Sequence, residues 1–283
     1  MLIQWYPGHM AKARRMLTEN LKLIDVVIEL VDARAPAATR NPDFDDLFAG
    51  KDRVVVFNKS DLADPSITKR WIEYWKRRNV LALEFVSINA AKRASAIALI
   101  EQAAKEKVER MRKKGVVKTV RAMVVGIPNV GKSTFINRLA AGARTATGDK
   151  PGVTRGLQWV KVSPYLELMD TPGLLWPKLE DERLARHVAY IGSVKDDILD
   201  VEQLAGQLLV DLNAICPEAV RQRYSKIEEG RTAEQLIDAV CASRGFLLSG
   251  GELDRERAAR IVLDEFRAGK IARVTLDAPE GEL

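Results

Sequence analysis

Apolar residues along the 283-residue chain fall into short, nearly continuous runs separated by stretches with helical spacing. Residues 25–32, Asp-Val-Val-Ile-Glu-Leu-Val-Asp, form the first run; their β-branched side chains predict a strand buried on both faces. Residues 53–57 and 82–87 predict a second and a third strand. Between these two, residues 65–78 put Trp71, Ile72 and Trp75 on one face of a helix. Residues 91–114 read as one helix, increasingly basic, that closes at Gly115. Another strand is expected at residues 120–126, a helix near 133–139, and strands near 158–162 and 166–169. Strands alternating with helices predict a parallel α/β sheet.

Beyond Trp176-Pro177 the pattern is helical only, four or five segments punctuated by Gly192, Pro217, Gly230 and the glycines of residues 245–251. Thr232-Ala-Glu-Gln235 fits a capping box, and Asp254 is a candidate N-cap for the last helix. The predicted organisation is an α/β domain over residues 1–178, followed by a smaller, mostly helical domain over residues 179–283.

Composition narrows the function classes. A 47% hydrophobic content is enough for a large core. No run of eighteen apolar residues predicts a transmembrane helix, and residues 1–12 hold no apolar segment of the signal-peptide kind; the sparse cysteines, two in the whole chain, fit a reducing cytoplasm, so a cytoplasmic protein is expected. Two distant cysteines, Cys216 and Cys241, exclude a disulfide scaffold and a cysteine-rich zinc site. Two histidines, His9 and His187, exclude a multi-histidine metal centre. The net charge of +6 is unevenly spread: residues 1–122 carry +9, residues 123–180 carry +3, and residues 181–283 carry −6. A basic first part predicts a polyanionic partner, the alternative being a set of solvated helix faces. In the acidic tail, Arg221, Arg223 and Lys226 are the candidate local basic face.

The chemistry is concentrated in five segments. Gly126-Ile-Pro-Asn-Val-Gly131-Lys132-Ser133 satisfies G-x-x-x-x-G-K-[ST] directly after a predicted strand and opening a helix. Its glycines let backbone N–H groups close around phosphates at a helix N-terminus, where the dipole favours negative charge. Lys132 would reach the β- and γ-phosphates and Ser133 would bind Mg²⁺. Asn129, Val130, Gly131, Lys132, Ser133 and Thr134 are therefore the candidate phosphate-binding residues. Asn58-Lys59-Ser60-Asp61 follows the second strand. A carboxylate at Asp61 would accept from N1–H and the exocyclic amine of guanine, and adenine offers neither. Asn58 would hold the carbonyl side of the base, and the Lys59 stem would pack on its ring. Ser87-Ile-Asn89-Ala90 ends the third strand and would support the same base. Asp170-Thr-Pro-Gly173 ends another strand; Asp170 would hold Mg²⁺ through water and the Gly173 N–H would sense a γ-phosphate. Thr154 would add a hydroxyl to the metal. Five such segments on strand ends fit a ligand at the carboxyl edge of an α/β sheet.

Their order is unusual, since Asp61 precedes Gly126, whereas an ordinary GTPase carries its phosphate loop first. The sheet still closes if the chain is opened after Asp170-Thr-Pro-Gly173 and rejoined through residues 91–114. This order resembles the circularly permuted GTPases. With Trp5-Tyr-Pro-Gly-His-Met-Ala-Lys-Ala13, Asp32-Ala-Arg34 and Pro151-Gly-Val-Thr154, the chain is similar to the ribosome biogenesis GTPase A family, tightly over residues 5–178 and loosely beyond. The resemblance implies a circularly permuted P-loop GTPase that acts late in large ribosomal subunit assembly and contacts ribosomal RNA, with GTP and GDP as ligands and Mg²⁺ as cofactor. The related small-subunit assembly GTPases carry an N-terminal barrel and a zinc-binding tail that this sequence lacks. Leu174 stands where small GTPases carry a water-positioning glutamine, so slow intrinsic hydrolysis is expected. His9, after Pro7-Gly8, is the candidate catalytic residue. Asn129 resembles the asparagine of potassium-activated GTPases, which implies K⁺ near the phosphates. A nucleotide-gated RNA-binding scaffold with little hydrolysis is the alternative reading.

Overall fold

Hydrogen bonding joins six strands into one sheet, and their spatial order differs from their order in the chain. The computed structural model describes residues 8–89, 91–140, 157–175, 181–228 and 230–279, with side chains from residue 10. The strands are β1 (Val26–Asp32), β2 (Asp52–Asn58), β3 (Leu81–Glu84), β4 (Val120–Val125), β5 (Gln158–Ser163) and β6 (Leu166–Asp170). Across the sheet they run β3-β2-β1-β4-β6-β5. Pairings from β3 through β6 are parallel, and edge strand β5 alone is antiparallel, to β6. The short Pro164-Tyr165 link forces that reversal, because a parallel neighbour needs a long crossover. The parallel strands end at one common edge, so Asp32, Asn58 and Asp170 and the segments after Glu84 and Val125 converge there.

Helices cover both faces. α1 (Gly8–Asn20) buries Met10, Ala13 and Leu17 and leaves Lys12, Arg14 and Arg15 in solvent. α2 (Pro36–Thr39) and α3 (Asp43–Leu47) follow β1. α4 (Pro65–Lys76) starts on its Asp64 N-cap and buries Thr68, Trp71 and Trp75; Ile72 is only half-buried. The helix expected over residues 91–114 is two helices, α5 (Arg93–Ala103) and α6 (Lys105–Arg112). α5 buries Ala96 and Ile100, whereas α6 buries no residue. The apolar stripe ends at the buried Ala104, and beyond it the helix keeps only the half-buried Val108 and the Lys107–Asp25 ion pair as ties to the sheet side. Strand β3 is shorter than the predicted 82–87, because the Ser87 N–H and hydroxyl turn away to the Asn58 Oδ1 at 3.2 and 2.7 Å. α7 (Lys132–Ala140) follows β4.

Among the described residues, five α-helices make up the last part of the chain: α8 (Glu182–Tyr190), α9 (Val201–Ile215), α10 (Pro217–Arg223), α11 (Ala233–Arg244) and α12 (Arg255–Arg267). α11 has its capping box between Thr232 and Gln235, and Asp254 caps α12 through the Arg257 N–H. At the centre of this unit Glu265 accepts from Arg223 Nε at 2.8 Å, Arg244 Nη2 at 3.1 Å and the Tyr224 hydroxyl at 2.6 Å. Arg223 is therefore bound inside the helical unit, and the expected basic face of Arg221, Arg223 and Lys226 loses its central charge. No described helix is long and apolar enough to cross a membrane.

The chain then returns to the sheet. Residues 270–279 cross the first half as an extended strap: Leu276 N–H donates to the Arg34 carbonyl at 2.7 Å and Val274 N–H to the Leu62 carbonyl at 3.2 Å. Asp277 accepts from the Ala37 and Ala38 N–H groups at 2.9 and 3.3 Å and so caps α2, while its carbonyl accepts from Trp71 Nε1 at 3.1 Å. Removing that cap leaves two N–H groups without their carboxylate. Asp277→Ala is expected to lower stability by about 1–2 kcal/mol, read as a shift in urea midpoint at unchanged slope; an unchanged midpoint would show that the strap is not anchored there.

Candidate functional site

The turn between β4 and α7 supplies the phosphate-type loop. Asn129 takes a left-handed φ of +63°, and Gly131 a φ of +96° in a space closed by Asn58. A Cβ at Gly131 would fall 2.4 Å from the Asn58 Nδ2, so a larger residue would break the contact between the loop and β2. Gly173 is equally constrained: a Cβ there would fall 2.6 Å from the Pro128 N. The segment after β6 thus lies directly on the loop, with Leu174 N–H donating to the Gly126 carbonyl at 3.2 Å.

Lys132 is buried and its Nζ donates to the Ile127 carbonyl at 2.9 Å. Burial lowers its ammonium to about 8, with Asp170 acting in the opposite direction. Ser133 Oγ donates to the Asp170 Oδ2 at 2.7 Å. The Asp170 Oδ1 is buried with no hydrogen-bond partner among the described residues. Burial pushes this carboxyl upward, while Ser133 and Lys132 oppose the shift. The Ser133 hydroxyl and the Asp170 carboxylate, one of whose oxygens is buried without a partner among the described residues, are hard donors of the type Mg²⁺ takes, so the residues present fit that ion. Thr154, the further candidate ligand, lies outside the described residues. Val130 is buried and its carbonyl accepts from Asn58; Thr134 lines the cavity described below.

The base-reading segment sits beside this loop. Asn58 is buried and both ends of its amide are engaged: Nδ2 donates to the Val130 carbonyl at 2.8 Å and Oδ1 accepts from Ser87. Its position makes it the bolt between β2, the phosphate loop and the loop after β3. Lys59, at a left-handed φ of +57°, donates to the Asn129 carbonyl at 2.8 Å and pairs with Asp32 at 3.0 Å. Ser60 is buried, and its N–H and hydroxyl both donate to the Phe85 carbonyl. Asp61 is exposed at the cavity and has no hydrogen-bond partner among the described residues. Arg138 of α7 holds the Ser87 and Ile88 carbonyls at 2.8 and 2.7 Å, a tie no sequence motif announces. Asn89 accepts from the Ala91 N–H at 2.9 Å in a local turn; Ala90 lies outside the described residues. His9 belongs to α1 by its backbone, but its side chain too lies outside them.

Residues of the phosphate-type loop and of the base-reading segment line one cavity of about 870 Å³, large enough for a nucleotide, whereas Lys132, Ser133, Asp170 and Gly173 are not part of its lining. Asn58, Lys59, Asp61, Asn129, Gly131 and Thr134 form one wall, and Gly192, Lys195, Asp196, Arg260 and Arg267 of the helical unit form the other. Sequence reasoning did not assign that second wall. Arg34, of the Asp32-Ala-Arg34 segment, is buried, forks onto Asp32 at 2.9 and 2.7 Å, and donates to the Arg267 carbonyl at 3.1 Å. Burial alone would raise the Asp32 carboxyl, but Arg34 and Lys59 hold it well below the usual carboxylate range.

Comparison with known proteins follows the same lines. The family model described as 50S ribosome-binding GTPase matches residues 121–239. The chain is 47% identical to the Ribosome biogenesis GTPase A of Priestia megaterium, over 99% of this chain and 98% of that protein. It is 31% identical to the Ribosome biogenesis GTPase A of Thermotoga maritima, over 98% and 95% respectively. The crystal structure of GNP-bound YlqF from T. maritima matches with a TM-score of 0.68 at 28% identity, covering 95% of this chain and 99% of that one. Sequence, permuted order and fold agree, and the chain belongs to the ribosome biogenesis GTPase A family of circularly permuted GTPases.

Proposed function

We propose that the protein binds GTP in this cavity, engages the immature large ribosomal subunit, and hydrolyses GTP to drive or check a late assembly step. The observation that carries the nucleotide reading is the Asp61 carboxylate, without a hydrogen-bond partner among the described residues, facing the same cavity as Asn129, Gly131 and Thr134 of the phosphate-type loop. In this reading Asp61 selects guanine, while Asn58, Ser60, Ser87 and Arg138 hold its loop in place. Lys59 and Asn129 flank the nucleotide, with Asn89 and Ala90 in the loop beside the base. Lys132 neutralises phosphate charge, and Ser133, Thr154 and Asp170 hold Mg²⁺. That ion would supply charge neutralisation at the phosphates. Residues 1–178 form the nucleotide-binding domain, and residues 179–283 the helical one.

The Leu174 side chain is buried in the core and cannot orient water, so turnover by the protein alone is slow. His9 is the group proposed to act on the attacking water once the partner is bound. Asn129 is proposed to favour K⁺ beside the phosphates. The ribosomal RNA surface is the end of α6: Arg110, Arg112, Lys113 and Lys114 are exposed and form no ion pair among the described residues. Four such cations give salt-dependent affinity for a phosphate backbone. A cytoplasmic location goes with this role.

Asp61→Asn inverts the donor–acceptor pattern at the guanine edge. It is expected to weaken GTP binding by about a hundredfold or more and to favour xanthosine nucleotides, as read by fluorescence titration; retained GTP affinity would remove Asp61 from the site.

The lowered Lys132 predicts a pH profile with a definite sign. Below pH 8 the ammonium is already charged in the free protein. Above it, GTP binding must take up a proton, so affinity should fall by up to about tenfold per pH unit. Titration from pH 6.5 to 9.5 checks this, and the always-charged Lys132→Arg should give a flat profile at lower affinity.

Sedimentation with separated subunits tests the partner. Binding to large subunits is expected to be tighter with a non-hydrolysable GTP analogue than with GDP, to weaken steeply with salt, and to raise turnover. In that assay His9→Ala and replacement of K⁺ by Na⁺ should each lower the stimulated rate. Stimulation by small subunits alone contradicts the reading. Tight binding without any gain in turnover favours a nucleotide-gated scaffold, the reading that the buried Leu174 keeps open.

A further inference from the structure

The phosphate-type loop is held from behind by the helical unit. Ser193, fully buried in the turn after α8, donates from Oγ to the Pro128 carbonyl at 2.6 Å. Beside it, Asn129 Nδ2 donates to the Gly192 carbonyl at 2.6 Å. Two consecutive loop residues are thus bonded to two consecutive residues of the helical unit. Pro128 is also the residue on which Gly173 lies, with no room between them for a methyl group. Pro128 therefore sits between Gly173, where a γ-phosphate would be sensed, and Ser193.

The turn that carries Ser193 is itself fixed. Arg267 donates to the Tyr190 and Ala189 carbonyls at 2.9 and 3.1 Å and forks onto Asp196 at 2.7 and 2.8 Å. Arg34 holds the Arg267 carbonyl and, through Asp32, Lys59 of the base-reading segment. A shift of Gly173 against Pro128 would meet a rigid body on the far side, and the hydroxyl of Ser193 is the contact that passes it on.

We propose that Ser193 is a positioning residue for GTP binding: it fixes Pro128 beneath Gly173, and so links nucleotide occupancy to the docking of the helical unit. This rests on the reading of the cavity as a guanine-nucleotide site. Linkage of this kind is reciprocal, so a ligand that tightens the loop also tightens the turn, and a partner that moves the turn changes nucleotide affinity.

The test uses the full chain in three forms: the parent, Ser193→Ala, and Tyr224→Phe. The last removes one buried hydrogen bond, to Glu265, elsewhere in the helical unit. Affinities for fluorescent GDP and for a non-hydrolysable GTP analogue are measured beside the melting temperature without nucleotide. Ser193→Ala is expected to weaken the GTP analogue by about fivefold, the scale of one hydrogen bond, and GDP by less. Tyr224→Phe should lower the melting temperature and leave both affinities unchanged. Unchanged affinities in Ser193→Ala overturn the proposal and leave Ser193 a structural residue. Equal losses in Tyr224→Phe also overturn it, since the effect is then general stability. Should Ser193→Ala fail to fold, hydrogen exchange of the parent decides: residues 188–196 must exchange more slowly with the GTP analogue than without nucleotide, and equal rates overturn the proposal. A parent that binds no guanine nucleotide fails the site reading itself, which its own titration reveals before any variant is compared.

Discussion

The Asp32 carboxylate, closed to solvent at the end of β1, requires positive charge on two sides, and much of the molecule is arranged by how it obtains it. Arg34 supplies one side from two residues away, and Lys59 supplies the other from the end of β2. A buried ion pair gives little net stability against an apolar alternative, but removing one partner costs about 3–5 kcal/mol because the other charge is stranded. The group is thus a geometric constraint more than a source of stability. It forces Lys59 toward the cavity and fixes the Arg34 guanidinium flat. Phe266, against whose ring that guanidinium lies at 5.4 Å, and the last carbonyls of α12 must then come to it. Cations are favoured where a helix ends, because its terminal carbonyls carry partial negative charge. The same carboxylate therefore fixes a base-reading lysine and the seat of the helical unit.

Permutation leaves this arrangement intact because the sheet reads spatial order, not chain order. β1 pairs with both β2 and β4, although two strands, β2 and β3, intervene in sequence between β1 and β4. Consequently Asn58 and Val130, 72 positions apart, meet through a 2.8 Å hydrogen bond, and two strand-end loops become one wall. The rejoining segment bears little of the load. α5 is anchored by its apolar face, while α6 touches the sheet mainly through Lys107, paired with Asp25 alongside Lys118. α6, which buries no residue, leaves the cations at its far end in solvent.

Most of the sheet and the two nucleotide-type motifs were legible in the sequence because their signals are local. The strand of residues 25–32 is a continuous β-branched run, the Gly126–Ser133 spacing fixes a turn shape by itself, and Thr232 and Gln235 cap a helix within four residues. What escaped depends on contacts between distant residues. Arg34 reaches α12 across 233 positions, Asp277 caps α2 across 240, and Ser193 meets Pro128 across 65. No periodicity marks such residues. Arg34 adjoins a buried acid and Ser193 follows a glycine, which are weak signals at best. The split at Ala104 escaped for another reason: the helical pattern continues through it, and only the loss of buried positions afterwards shows that the second half leaves the core. For the Asn58 amide, which the motif aims at a base, the structure shows both ends bonded within the protein.

The acidic balance of the last third reads differently once its partners are known. Asp196 is bound by Arg267, Asp238 by Arg255, Glu256 by Arg260, and Glu265 by Arg223 and Arg244. These carboxylates bind helix to helix, or neighbours within one helix, so the net charge describes internal bonding as much as an outward field. Much of the positive charge on the helical unit is consumed in the same pairs, whereas Arg110, Arg112, Lys113 and Lys114 form no ion pair among the described residues. An anionic partner would therefore be drawn to the sheet side of the molecule, and the helical unit would answer through its bonds to the loops. Pro128, held by Ser193 on one side and crowded by Gly173 on the other, is the point where those two influences meet.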